Sequence, residues 1–531
     1  MFGLRKKKEI KEICSLNKET IKTISSELGI PEEKVPMIAE KLTNDEQFID
    51  AIARKINFGV VRRALVGAMA AGAFVATASP ALARMTITDQ YIQLDDKKYY
   101  LPIAPYSAIV YIDGGKVKAE DWKGKIISEG EAGVDDAKVI QSALDIGGRI
   151  VLGKGEFIVN KTLLVKSYTI IEGLGWDETK LKAADGLNDK MIKNYNHGSD
   201  YVYRVVIKDL LIDGNKENQS LEIGNNVIDL RIPVDCKIEN VKVINAPDSS
   251  IVIDSYYAGG LIAKSNMLIN CYSYDSADYG FYILGENTTL LHCHIKGGYG
   301  FAIKGATGYN KLFGCLAKDC GHHGLYAEAT ESVDIIGCSF ISNSRWGIAL
   351  NGCSQFRIIG GEILNNNQDT SASYGGIYLY NSVRNKIIGV RVEDTQDTPT
   401  QDVGIKEGGS SDNNIIAYCT VRNNKTEQIV IVGANTIIRR NIGYLTENSG
   451  VATFSGDGST TDFLIGDHGL AVTDPSKIVV KVTPISSDAI DASPCIGYVD
   501  PNDNAKIRVK FASAPASGTD NVKIIWEAQV V

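Results

Sequence analysis

No CxxC pair occurs anywhere in the 531 residues, although ten cysteines are present. Without that pair the usual zinc and dithiol motifs are excluded, and the cysteines read as small apolar residues of a core. Proline is scarce: 13 residues stand against 52 glycines and 24 tyrosines, a balance that suits a solenoid of short strands and tight turns. Positive charge is also in short supply. The formal charge is −8, and because residues 1–63 hold 13 Lys/Arg against 10 Asp/Glu, the rest of the chain carries −11. Such acidity argues against a nucleic-acid partner. A chain of this length is too long for one ordinary globular core, but a solenoid can grow along one axis without that limit.

A repeat is present between residues 235 and 445. A small or apolar inward residue recurs at Val241, Cys271, Cys293, Cys315, Cys338, Gly361, Val390 and Cys419, in steps of 30, 22, 22, 23, 23, 29 and 29 residues. Four residues after each comes a turn position: Asn245, Asp275, Gly297, Asp319, Ser342, Asn365, Asp394 and Asn423. A second strand then begins near Ser250, Gly280, Gly300, Gly324, Gly347, Gly376, Gly404 and Gln428, as in GFYIL, GFAIK, GLYAE, GIALN and GIYLY. Coils stacked about 4.8 Å apart would align these columns into ladders. Asn and Asp would serve the turns, and glycine the unusual backbone angles at strand re-entry. The pattern predicts a right-handed, single-stranded parallel β-helix built from strand-turn-strand coils. The longer coils carry extra residues after the turn, at 366–373 and 395–401, where insertions decorate one face of the solenoid.

The flanks differ from this core. Residues 1–60 show helical spacing, with Gly29 ending one element and Pro31 opening the next. Residues 61–84 run from Arg62-Arg63 through about twenty uncharged residues to Ala81-Leu82-Ala83, as in an export signal or a membrane anchor spanning 64–83. A buried Ala/Gly-rich helix is the competing reading. Either export route places residue 84 onward outside the cell. A β-rich lead-in at 85–132 precedes the repeat domain, 133–446, and short alternating strands at 447–531 predict a C-terminal β-sandwich.

Residues 133–183 contain Asp135-Asp136, then Ile140, Ala143 and Leu144, then Gly147-Gly148 leading into IVL, GKGEF and GLG. This resembles the opening of pectate-lyase-superfamily β-helix proteins, which include polygalacturonase-like enzymes and phage tailspikes. The resemblance covers roughly residues 100–445 and implies a short helix capping the first coil. It implies glycan-related chemistry without naming a reaction. A homotrimer follows by analogy with tailspikes, and the C-terminal segment looks like modules that follow β-helices in archaeal surface and virus-tail proteins. The polygalacturonase motif set is incomplete: Asp135-Asp136 falls in the cap, His322-His323-Gly324 half matches G-H-G, and N-x-D and R-x-K have no counterpart.

Just before the second-strand glycine lies a run of rings, Tyr279, Tyr299, His323 and Trp346, preceded by Asp278, Gly298, His322, Arg345 and Tyr374. Outward strand positions add Tyr282, Tyr326 and Tyr378. Sugar rings pack their C–H faces on aromatics, so Tyr279, Tyr299, His322, Trp346, Tyr326 and Tyr378 are the expected glycan contacts; ordinary turn packing is the bland alternative. For catalysis, Glu328, Lys304 and His323 are the candidates. A glycosidase needs two carboxylates, for which Asp319 and Glu328 are available, whereas a lyase needs a base and a cation that neutralises the uronate. His292 and His294 flank Cys293, so both imidazoles are expected on one outward strand face, yet a third metal ligand is lacking. The Gly456-Asp457-Gly458 turn admits calcium, and no other cofactor is implied. Three functions remain: a surface or virion adhesin that binds polysaccharide, a polysaccharide lyase or glycoside hydrolase, and a structural envelope component.

Overall fold

The computed structural model describes residues 106–531 apart from 221–223, 256–258, 306–307, 370–371 and 473, together with the backbone of three short strands between residues 85 and 100. The expected helical segment at 1–60 and the export or anchor segment at 61–84 lie outside the described residues. Among the described residues no helix is long and apolar enough to cross a membrane. The chain divides into two compact units, 1–105 and 106–531. In the first, Met85–Ile87, Tyr91–Leu94 and Lys97–Tyr100 form an antiparallel meander.

The second unit opens with a cap. Ala108–Asp113, Lys116–Asp121 and Ile126–Glu131 pair antiparallel, and Ala108–Asp113 also runs parallel to Arg149–Leu152 of the first coil. Helix α1, Asp136–Leu144, buries Ala137, Val139, Ile140, Ala143 and Leu144, of which Ile140, Ala143 and Leu144 are the apolar residues of the capping helix that the resemblance implies. Asp136 is fully buried and accepts from the backbone N–H groups of Gly133 (3.0 Å) and Ile158 (2.6 Å), so half of the Asp135-Asp136 pair anchors the cap. Gln141 covers the terminal strand Leu163–Val165: its Oε1 accepts from Leu164 N at 2.8 Å and its Nε2 donates to Leu164 O at 3.2 Å. An otherwise open sheet edge is thereby satisfied.

Behind the cap stacks a parallel solenoid of about 11 turns. Each coil contains three strands rather than the two expected. Thr289–Leu291, His294–Lys296 and Phe301–Lys304 are one such set. The expected first strand is broken by a left-handed residue immediately before the inward column: Asn270, His292, Gly314, Gly337, Gly360, Gly389 and Tyr418 have φ between 50° and 66°. We call the three strand positions the first, second and third faces. The third face is an 11-stranded parallel sheet. The inward cysteines are buried, as expected, and their thiols also donate to carbonyls of the preceding coil, as from Cys293 Sγ to Leu268 O at 3.4 Å and from Cys338 Sγ to Leu312 O at 3.4 Å. A small side chain that can also donate therefore suits this column. Phe281 packs on Phe301 along the third face, with centroids 5.5 Å apart, and Phe301 meets Phe340 of the second face edge-on at 6.3 Å in the core.

The turn and glycine columns exchange the physical roles expected of them. Seven of the eight turn positions, all but Asp394, are left-handed, with φ from 51° at Asn245 to 74° at Gly297. Most of these are Asn, Asp or Ser, types whose short side chains tolerate that conformation. Of the re-entry glycines only Gly300 has positive φ, +81°. The others provide space: an added Cβ would lie 2.7 Å from Ile295 at Gly280, 2.5 Å from Ile363 at Gly347 and 2.4 Å from Val392 at Gly376.

Beside the turn column runs a buried amide ladder, Asn343, Asn366, Gln401 and Asn424. Asn366 is fully buried; its Nδ2 donates to Phe340 O at 3.0 Å and its Oδ1 accepts from Asn343 Nδ2 at 2.9 Å. Gln401 reaches this ladder from the 395–401 insertion and donates to Asn424 Oδ1 at 2.7 Å. Asn366→Leu is expected to cost about 3 kcal/mol, because it strands buried partners on both neighbouring coils. Urea denaturation of the full chain measures this, and a loss below about 1 kcal/mol would assign the ladder little weight.

The C-terminal segment is a β-sandwich. One sheet pairs Glu447–Gly456, Gly518–Val530 and Ile478–Pro484; the other pairs Asp462–Asp467, Lys506–Phe511 and Cys495–Val499. Its core includes Val509, Phe511, Val522, Ile524 and Trp526. Asp457 accepts from Ser459 N (2.7 Å), Thr460 N (2.6 Å) and Thr460 Oγ1 (2.7 Å), so a turn accounts for the Gly456-Asp457-Gly458 sequence.

Candidate functional site

One outward column of the third face reads Asp229, Val252, Tyr282, Ala302, Tyr326, Ala349, Tyr378 and Lys406 along the axis, each residue opposite the next. Tyrosine and alanine therefore alternate over five rungs. Successive rings lie two strand spacings apart, about 9.6 Å. Ala302 and Ala349 are 0% and 5% exposed although they point outward, because the neighbouring side chains close over them.

Lys304 occupies the gap above Ala302. Its Nζ lies 5.5 Å from the ring centroid of Tyr279, 5.6 Å from that of Tyr282 and 5.3 Å from that of Tyr326. Three rings thus share one ammonium, a geometry in which the faces of the π-systems attract the charge. Glu328, opposite Lys304 on the next coil, approaches it to 3.7 Å. Asn351, on the following rung, donates to Tyr326 Oη at 3.4 Å.

The corner column lies beside this strip. Tyr299 stacks on His322 at 4.9 Å, His323 on Tyr326 at 5.7 Å and Trp346 on Tyr378 at 4.8 Å. Tyr374, which follows the 366–373 insertion, meets both His323 and Trp346 edge-on at 6.3 Å. Exposure separates these rings. Tyr279, His323 and Trp346 are buried at 9%, 8% and 5%, whereas Tyr299 is 38% exposed and Tyr282, Tyr326, Tyr374 and Tyr378 are half-buried. The first three form a wall; the others present faces to solvent.

Electrostatics follow the burial. His323 is held down to about 3, chiefly by burial and then by His322 and Arg345, while its Nδ1 accepts from Trp346 N at 3.2 Å. His322 is held down to about 4 by burial and by the Arg345 guanidinium. Arg345 Nη1 donates to His322 Nε2, which leaves the proton of the neutral imidazole on Nδ1, a buried atom without a hydrogen-bond partner. The two adjacent imidazoles are thus neutral at pH 7 and in opposite tautomers. Burial, reinforced by Asp248, raises the carboxyl of Asp278. Burial also raises the hydroxyls of Tyr279 and Tyr326, so both are phenols at neutral pH.

The family described as "Right handed beta helix region" matches residues 231–369, within the solenoid whose three faces are described above. The fold that this description names is the one observed, a right-handed parallel β-helix. Alginate lyase 7 of Azotobacter vinelandii is 33% identical over 111 residues, 18% of this chain and 13% of that protein, so the match spans a small part of the relative's length. The A-module of the Azotobacter vinelandii mannuronan C-5 epimerase AlgE6 superposes with TM-score 0.46 at 16% identity, covering 59% of this chain and 97% of the other. The Dettilon tailspike protein gives TM-score 0.38 at 13% identity, covering 74% and 90%.

The β-helix gathers Lys304, Glu328, Tyr279, Tyr282 and Tyr326 into one cluster, with His322, His323 and Tyr299 at its edge. It does not gather Asp319 with Glu328: Asp319 is a left-handed corner residue 3.9 Å from Lys296, while Glu328 ends the third-face strand against Lys304. The two histidines around Cys293 also part. His292 is the left-handed bend residue, and His294 lies in the second face with its ring 4.8 Å from Tyr272. They do not share one outward strand face as expected, because the bend separates them. Among the described residues no three His, Cys, Asp or Glu side chains converge as metal ligands.

A second polar cluster escaped the sequence reading. His197 Nε2 lies 2.9 Å from Asp229 Oδ1, Asn226 Nδ2 donates to Asp229 Oδ2 at 2.9 Å, and Lys190 is 3.7 Å from the same carboxylate. Asp229 is held below the usual carboxylate range by these partners, with His197 foremost among them, against the opposing effect of burial. These residues precede the phased repeat, so no column marked them.

Proposed function

We propose that this β-helix binds polysaccharide along its third face, as an extracellular or virion-surface protein of the adhesin or tailspike kind. The alternation of Tyr282, Ala302, Tyr326, Ala349 and Tyr378 carries this reading. Rings repeat every two rungs, roughly the advance of two sugar units in an extended glycan, and the alanines between them lie beneath neighbouring side chains, which leaves the tyrosine faces as the contact surface. Sugar C–H groups pack on the exposed tyrosine faces, and Lys304, Glu328 and Asn351 offer hydrogen bonds at the rims. The local similarity to alginate lyase 7 fits a polysaccharide ligand.

Tyr326→Ala with Tyr378→Ala should weaken polysaccharide binding by tenfold or more, given about 1 kcal/mol for each stacked ring. Glycan-array and titration measurements on the full chain check this. Undiminished binding by a folded double variant would remove the strip from the function.

The second reading, a polysaccharide lyase or hydrolase, draws on Lys304 lying among Tyr279, Tyr282 and Tyr326 and facing Glu328. In β-elimination a base removes the C5 proton beside a uronate carboxylate, and a cation such as Lys304 holds the charge that develops on that carboxylate. The electron pair then forms the C4–C5 double bond as the C4–O glycosidic bond breaks, and the departing oxygen takes up a proton. His323 is 8% exposed, so in this reading it supports Tyr326 rather than meeting the substrate. Release of unsaturated ends from uronate polymers, abolished by Lys304→Ala, distinguishes this reading from binding alone.

A further inference from the structure

A cavity of about 490 Å³ opens on the first face, away from the aromatic strip, with Tyr309, Lys311, Asp334, Arg357, Arg384 and Lys386 around it. This is within the usual size range for a small-molecule site. Lys311, Asp334, Arg357 and Lys386 occupy successive rungs of one ladder, so the cations are spread over three strand spacings, about 14 Å. Arg384 and Tyr309 are left-handed corner residues that flank the ladder, and Tyr309 is 69% exposed.

The charges do not cancel. Asp334 is the single carboxylate in the wall and is engaged by Arg357 through both Nε and Nη2. Among the described residues Lys311, Arg384 and Lys386 have no carboxylate partner within ion-pair distance. Arg357 and Lys386 face one another on adjacent rungs, and like charges directly opposite destabilise a sheet. A chain with a formal charge of −8 has nevertheless collected four cations and an exposed ring around one groove. An anion bound there would offset the repulsion, and a ring beside it would stack on a sugar.

We propose that this groove is a second saccharide site, selective for sugar units bearing a carboxylate or sulfate. Tyr309 is the stacking platform, and Lys311, Arg384 and Lys386 hold the anionic group. The inference rests on the polysaccharide reading and narrows its ligand to acidic chains.

The test titrates the full-length protein with an oligogalacturonate, a chondroitin sulfate oligosaccharide and a neutral cello-oligosaccharide. Both acidic probes, or one of them, should bind more tightly than the neutral one, and the preference should fall as salt rises. Whichever acidic probe binds better identifies carboxylate or sulfate as the preferred group. Arg384→Ser with Lys386→Ser, both exposed, should weaken acidic binding at least tenfold, lower its salt dependence and leave neutral binding unchanged. Lys296→Ser with Lys318→Ser on the second face removes equal charge and should change nothing. Equal loss in both double variants, or no acidic preference, overturns the acidic site while leaving the polysaccharide reading intact. If none of the three saccharides binds and no other glycan does, that reading fails and the acidic site falls with it.

Discussion

Gly300→Ala is expected to destabilise the β-helix by roughly 3–5 kcal/mol, combining left-handed strain with overpacking against the next coil. At φ +81° an added Cβ would lie 2.3 Å from the carbonyl oxygens of both His323 and Gly324. Backbone atoms cannot swing away as a side chain could. The neighbouring coil must therefore shift, and with it the stack of Phe301 against Phe281 and Phe340. Gly337→Ala is the control: φ is +62° there, yet no atom lies within 4 Å of the added Cβ. About 1 kcal/mol is expected at that position, since many non-glycine residues of this solenoid adopt the same conformation. Urea unfolding of both variants separates strain from collision; equal losses would show that the collision is relieved at no cost. Gly300 also lies between Tyr299 and Phe301, so its substitution should weaken polysaccharide binding along with stability.

Acidification from pH 6.5 to 4 is expected to remove roughly 3 kcal/mol of stability through His323 alone. Burial holds this imidazole at about 3 in the folded protein, against about 6.5 in an unfolded chain. Between those values the unfolded state binds the proton and the folded state does not. Stability therefore rises with pH across the window, is complete above about 6.5, and is lost as the pH falls toward 3. His322, held at about 4, adds to the slope in the same direction. Asp136 and Asp278, whose carboxyls are raised by burial, act with the opposite sign near the lower end, because the folded state takes up their protons first. Urea midpoints at pH 6.5, 5.5 and 4.5 should fall in the native protein and flatten in His323→Gln, whose amide oxygen can still accept from Trp346 N. An unchanged slope in that variant would show that other groups carry the acid sensitivity.

Much of the solenoid was legible in the sequence because its columns are local in phase. The inward cysteines and the polar turns each recur at offsets that need no knowledge of the partner coil. The internal structure of a coil was less legible. His292 and Tyr418 resemble strand residues in sequence, yet each turns the chain in a left-handed bend, and nothing in residue type alone announces it. The glycine column was located correctly for the wrong physical reason. Its members other than Gly300 have ordinary backbone angles. Gly280, Gly347 and Gly376 are glycine because Ile295, Ile363 and Val392 of another coil fill the space, while Gly324 and Gly404 meet Phe340 and Val421 together with backbone carbonyls.

The sequence by itself determined the fold class, the phase of the repeat, the cap and the set of rings from which a site could be built. Periodic burial and turn chemistry act within one coil, so they leave a record in every coil. Tertiary structure alone decided which rings are wall and which are surface. It also decided that Tyr282, Tyr326 and Tyr378 share a ladder with Ala302 and Ala349 between them, and that four cations line one groove of the first face. The physical reason is register. A side chain in a solenoid is covered or exposed by residues one coil away, 20 to 30 positions distant along this third-face column, and insertions such as 366–373 shift that distance from coil to coil.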